Sequence, residues 1–589
     1  MASTRAPHPT AIAGQRIGFR RIALALVIAL LPVACASDKA PDRLTLVTVL
    51  PSQSPVGNYL AGRHAQSARD IPSAVEFLEA ALASEPDNRN LLRRTFMLTS
   101  MEGDLDKALP LARRIVADVP GAQVANLVLI VADIRDGRLD TARARLDGLA
   151  SGEGMNTFMV PLLGAWTQVG LGDIDGALAA LKPLSENKGF LAMHDLHVAL
   201  VNEVAERNDK AVEAFKKTIE PPGNLSLRLV ELLGSLYERT NRAGEAKALY
   251  RRYMTEHPTS PLMGPALARL EAGGAPARSV SSAVDGAAEA MFGVSNSVRQ
   301  RTSQAAALIF GRMALALKPD FPLAQILVAD MLEADNRLEL ANDVYGAIDR
   351  GSPFSWPARL SIAANLNRLD RTDEAVLRLE AMGKENPILA DSYINLGDIL
   401  RGRDRFDEAI SAYDRAFDRI AKLERRHWTL LYARGIALER AKKWRRAEAD
   451  FLKALEFEPE QPYVLNYLGY SWIDQGLHLD RARKMIEKAV ELRPNDGYIV
   501  DSMGWALYRI GDFAGAAREL ERAIELRPED PVINDHLGDA YWKVGRRAEA
   551  RFQWRRSLSL EPEKSLRPAI KAKIERGLIE GEAAKKASE

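Results

Sequence analysis

The chain has 589 residues, with 80 Lys and Arg against 79 Asp and Glu, a formal net charge of +1 and a single cysteine. That even balance argues against nucleic acid as a partner, which requires a clearly basic face. One cysteine excludes any intramolecular disulfide, although an oxidising compartment permits disulfides without requiring them.

Residues 1–34 read as a secretory signal. Arg16, Arg20 and Arg21 precede an unbroken apolar run from Ile22 to Leu31, followed by Pro32, Val33 and Ala34. A basic start, about 7–15 apolar residues and a small residue before the cut define such a segment. The run falls short of the roughly 20 residues that cross a bilayer. The only cysteine, Cys35, stands directly after the expected cleavage point. This placement resembles the lipobox of bacterial lipoproteins, whose cysteine is freed and acylated. Pro32 departs from that pattern, where a small or hydroxyl residue is usual. The competing reading is an ordinary signal with an incidental cysteine. Ala36 after the cysteine, rather than Asp, implies the outer membrane by the enterobacterial sorting rule. Loss of the four signal arginines leaves 80 − 4 = 76 basic residues against 79 acidic ones, or −3. Residues 35–57, with Pro41, Pro51 and Pro55, read as a tether.

From residue 58 a beat of about 34 residues sets in. Gly62, Ala74, Leu78, Ala81 and Pro86 begin it, and Gly234, Ala246, Tyr250 and Pro258 repeat it. Weaker copies centre on Ala108, Ala142, Ala177 and Ala211. Residues 58–258 therefore form a first array. Residues 259–304 lose the beat: Gly264, Pro265, Gly273, Gly274, Pro276 and a serine cluster mark an irregular connection. Within it Asp285–Val298 has helical character. A second array runs over 305–562, through Ala329, Ala341, Tyr345 and Pro353 and then Gly397, Ala409, Tyr413 and Ala416. The beat is clearest at its end, where Pro459, Pro494, Pro528 and Pro562 match Gly435, Gly469, Gly504 and Gly538. Residues 563–589 hold an amphipathic stretch, Ile570–Ile579, expected to cap the stack, and a polar tail.

Each residue type in the beat has a physical reason. Two helices cross at about 8–10 Å only where the contact residues are small. The large residue four positions after the first Ala fills the space beside that contact. Proline ends the second helix. This pattern resembles the tetratricopeptide repeat, a helix–turn–helix unit of 34 residues. The resemblance implies an all-α superhelical solenoid of roughly a dozen or more units, and a surface that holds other proteins.

The chemistry-bearing motifs are missing: no HExxH, CxxC, Walker loop or GxSxG is present. Eight histidines are scattered, and His194 with His197 alone share a helical spacing. The expectation is a protein without catalytic residues, cofactor or metal. In this repeat family the inner face is lined by positions 2, 5, 9, 12 and 13 of the first helix. Here these give Tyr463, Asn466, Tyr470, Ile473 and Asp474, then Tyr498, Asp501, Trp505, Tyr508 and Arg509, then Val532, Asp535, Asp539, Trp542 and Lys543. Aromatics mixed with Asn, Asp and Arg are the residues of binding hot spots. The competing reading has Tyr508 and Trp542 merely covering core edges. The regular Lys, Asn and Arg placement of a chaperone-type carboxylate clamp is lacking.

The block NYLGYSWIDQG, DSMGWALYRIGD and DHLGDAYWKVGRRAEA, with DGAAEAMFG upstream, is similar to a group of large proteobacterial outer-membrane lipoproteins. That group includes an adaptor that brings peptidoglycan hydrolases to a periplasmic C-terminal processing protease. The resemblance implies a lipid-anchored adaptor facing the periplasm. The alternative is a scaffold of an envelope export machine, such as exopolysaccharide secretion.

Overall fold

The computed structural model describes residues 50–578, apart from 150–153, 220–224, 258–259, 261 and 302–303. The signal, Cys35, the tether up to residue 49 and the tail from residue 579 lie outside the described residues. Thirty α-helices, from Pro55–Ser67 to Arg567–Arg576, and one 3-10 turn make up the regular structure, with no strand among the described residues. The fold is an all-α tetratricopeptide-repeat solenoid.

Local sequence explains the helical pairs. Second helices open on side-chain caps such as Asp104, Asp173 and Asp512, each accepting a backbone N–H of the first turn. Between paired helices the chain turns through a left-handed residue: Arg69, Asn241, Asn336, Asp370, Asp404, Lys442, Gly511 and Gly545 all have positive φ. The close crossing is visible at Gly504, where an added Cβ would lie 2.5 Å from Leu520 Cγ. Ala516, Leu520 and Ala523 beneath it are buried.

First helices of successive units touch one another along the second array, as Pro462–Asp474 touches Gly497–Ile510 and the latter touches Pro531–Lys543. The first helices therefore form the inner face of the stack. The last helix, Arg567–Arg576, packs on Arg547–Ser559 and buries Ile570, so the final unit does not end on a bare apolar face.

The segment between the arrays, joined by the helix Gln304–Leu317 that sequence reasoning places in the second array, has a definite place. Ala283–Arg301 and Gln304–Leu317 pair as a hairpin. The first of these packs on Gln123–Arg135, Asn156–Gly170 and Leu191–Val204, and the second on Arg89–Glu102 and Gln123–Arg135. All four partners are first helices. The hairpin thus fills the inner face of the first array as a plug. Its small residues allow this: Ala287, Ala288 and Ala290 are buried, and a Cβ on Gly286 would lie 2.0 Å from Trp166 Cδ2. Glu289, also buried, is ion-paired to Arg228.

Candidate protein-binding groove

The inner face of the last three units carries the residues singled out from sequence. Trp505 is half-buried and lies between two rings. Tyr508 stacks on it at 5.0 Å and 10°, and His536 at 4.2 Å and 17°. His536 Nδ1 meets Asp501 Oδ1 at 2.9 Å, and both side chains are largely buried. Burial works against the imidazolium, but the Asp501 carboxylate outweighs it and raises the His536 pKa, with Asp535 and Asp539 adding to the effect.

The adjoining end of the groove is held by the capping helix. Lys573 Nζ donates to Asp535 Oδ2 at 2.8 Å and to Asp539 Oδ2 at 2.7 Å, and Trp554 Nε1 donates to Asp539 Oδ1 at 2.9 Å. Burial raises the Asp539 carboxyl, and the Lys573 charge opposes this. Trp542 lies against Gly577 and beneath the guanidinium groups of Arg547 and Arg551. Lys543 is exposed, its ammonium 5.6 Å from the Phe513 ring.

Arg509 ties neighbouring units by donating to Asp474 Oδ1 at 3.1 Å and to the Asp474 carbonyl at 3.0 Å. Tyr470 is half-buried. Tyr463 and Tyr498 stand apart from the central cluster. They are 40% and 46% exposed, with Arg493 and Arg527 over their rings. Three polar atoms of this face are buried without a hydrogen-bond partner: Asn466 Oδ1, Trp505 Nε1 and Asp535 Oδ1.

The structure brings Asp501, Trp505 and Tyr508 together with Asp539, which the repeat register also places on this face, and adds His536 and Lys573, which sequence reasoning passed over. His536 stands 35 residues after Asp501, one repeat along. That register was a usable signal. Among the described residues no group of three or more His, Cys, Asp or Glu is placed to hold a metal ion. No described helix is long and apolar enough to cross a membrane.

Residues 387–459 match one tetratricopeptide-repeat family, and residues 432–497 and 502–562 match another. The chain is 33% identical over 181 residues to the TPR repeat-containing protein PA4667 of Pseudomonas aeruginosa, covering 31% of this chain and 30% of that protein. It is 29% identical over 166 residues to the RNA polymerase-associated protein CTR9 of Caenorhabditis elegans, covering 25% of this chain and 14% of that one. The matches thus span less than a third of the length of these curated relatives. Among solved structures, the APC/C subunit complex Cut9–Hcn1 aligns over 89% of this chain and 96% of its own, at 15% identity and TM-score 0.36. YrrB, described as a TPR protein with an unusual peptide-binding site, aligns over 33% of this chain and 97% of its own, at 22% identity and TM-score 0.26.

The fold is a tetratricopeptide-repeat solenoid whose residues 387–497 and 502–562 carry the matched repeats, and repeats of this kind imply a protein-interaction scaffold. Solenoids of this class are in general non-catalytic.

Proposed function

We propose that this protein is an envelope adaptor, lipid-anchored through Cys35 at the outer membrane, that brings cell-wall hydrolases to a periplasmic C-terminal processing protease. The reading draws its family from the resemblance of the C-terminal block, and one structural contrast supports a binding site on the last three units. The first array keeps its inner face covered by its own hairpin, whereas the last three units carry orphan polar atoms beside half-buried aromatics. An unpaired buried polar group costs about 1–3 kcal/mol. A bound segment that supplies a donor to Asn466 and an acceptor to the Trp505 indole offsets that cost. Anchoring raises the local concentration of both partners by holding them on one body.

The test is in-cell crosslinking of the tagged full chain, with mass spectrometry of what co-purifies from the envelope. A processing protease together with cell-wall hydrolases is the expected catch. Export components without a protease would replace this reading with that of an export scaffold. The same experiment on Asn466→Ala/Trp505→Ala, with unchanged helical content, is expected to lower recovery of one partner by roughly tenfold, the loss of one good hot spot.

A further inference from the structure

A second surface lies at the opposite end of the molecule. A cleft of about 750 Å³ opens over the first two units, between the helices Pro55–Ser67 and Arg89–Glu102. The 283–301 helix makes its contacts further along, on the third to fifth units, and its partner helix Gln304–Leu317 reaches the second unit through Arg89–Glu102. The cleft volume falls within the roughly 300–1,000 Å³ of pockets that take specific ligands.

Its lining combines an adaptable apolar part with cationic side chains. Val56, Tyr59, Met97 and Met101 form the apolar part. Val56 is 64% exposed and its neighbour Leu60 is 60% exposed, a large apolar surface to leave in water. Methionine, unbranched and polarisable, adapts to varied side chains. Arg93 and Arg94 line the same cleft against one carboxylate, Glu85, which accepts from the Asn88 amide at 3.0 Å. Neither arginine has a carboxylate within ion-pair distance among the described residues. Arg94 donates only to Gln66 Oε1, at 2.8 Å, and the nearby Arg63 to the Tyr59 hydroxyl, at 3.1 Å. Ion pairs are frequent between the arginines and acids of neighbouring units, as in Arg135–Asp106, Arg207–Asp175 and Arg405–Asp373. The first units depart from that habit just where the apolar surface is open.

We propose that this cleft docks an acidic, apolar segment of a partner protein, its apolar side chains entering between Val56, Tyr59, Met97 and Met101 and its carboxylates meeting Arg93 and Arg94. A guanidinium matches a carboxylate with two parallel N–H···O bonds, so arginines without an ion-pair partner select that charge. A concave cleft of about 750 Å³ favours a polypeptide with side chains over a flat lipid surface. The site is independent of the groove at 462–543.

Fluorescence anisotropy of the full chain with a labelled peptide of alternating Leu and Glu tests it, against the Leu and Lys counterpart. The Glu peptide is expected to bind at least tenfold more tightly, and more weakly as salt rises. Arg93→Glu and Met97→Glu, both at exposed positions, are each expected to weaken it at least tenfold, with helical content unchanged. Trp505→Ala is expected to leave it unaltered. Equal binding of the two peptides, or binding that survives Arg93→Glu, overturns the proposal. So does binding lost in Trp505→Ala, which places the peptide in the other groove. Failure of the peptide, with phosphatidylglycerol vesicles held by the full chain and released by Arg93→Glu, also overturns it and assigns the face to a membrane.

Discussion

The two arrays carry the same aromatic device and use it differently. Trp166 and His197 stand 31 residues apart on adjacent first helices, and so do Trp505 and His536. In the first array the Trp166 indole N–H donates to His197 Nδ1 at 3.0 Å, and Gly286 of the plug lies flat on the indole. In the second array His536 stacks on Trp505 and turns to Asp501, which leaves the Trp505 N–H unpartnered. The chain completes one pair with its own helix and leaves the other to be completed. Repetition of sequence therefore does not imply repetition of function. What covers the inner face distinguishes the two arrays: the first is filled by its own hairpin, and the second is the one proposed to receive a partner.

The largest expected way to break this contrast is acid. Burial drives the His197 pKa from 6.5 down to about 3, and the Trp166 N–H aimed at Nδ1 leaves no room for a proton there. The folded value lies below the unfolded one, so the unfolded chain binds more protons between them. The stability is fully present above pH 6.5 and is lost as pH falls towards 3, up to about 5 kcal/mol in all. Urea unfolding of the full chain at pH 7 and pH 4.5 measures this. His197→Gln, which still offers Trp166 an acceptor, is expected to lose roughly 3 kcal/mol less than the wild type between those pH values.

The next effect isolates the plug. Gly286→Ala places a methyl inside van der Waals reach of a buried indole, and overpacking of this kind costs about 1–3 kcal/mol. Gly293, seven residues on in the same helix, has nothing within 4 Å of its added Cβ. Gly293→Ala is therefore expected to gain up to about 1 kcal/mol from helix propensity alone. If the two variants shift the urea midpoint alike, the tight packing of the plug on Trp166 is wrong.

Much of this was legible beforehand, and the remainder has identifiable reasons for being hidden. The 34-residue beat was readable because the close crossing accepts only small residues, as Gly504 against Leu520 shows. The turn seven residues after that position escaped notice. The left-handed conformation there is taken by Gly511 and Gly545, but also by Arg69, Asn336, Asp370 and Lys442, so no single residue type marks it. Asp285–Val298 could be read as helical from its composition, but its destination could not. Gly286 meets Trp166 across 120 residues, and no periodicity links them. Likewise Lys573 reaches Asp535 and Asp539 from the capping helix, outside the repeat register.

The smallest expected effect sharpens the comparison most, because its sign is opposite to that of His197. Burial disfavours the charged form of His536, yet Asp501 at 2.9 Å overrides it and raises its pKa above the unfolded value. A raised histidine contributes stability that is fully present below the unfolded pKa of about 6.5 and is lost as pH rises through the folded value. Asp539, raised by burial, acts in the same direction at lower pH, stabilising least once ionised. Differences in unfolding free energy between the wild type and each His→Gln variant, measured from pH 4 to pH 9, should therefore slope in opposite directions. The His197 difference grows with rising pH and the His536 difference shrinks. Equal slopes would mean that both imidazoles are held neutral, and that the open array does not keep a charged histidine in its groove. A bound partner that adds a further carboxylate beside His536 would deepen the second slope without touching the first.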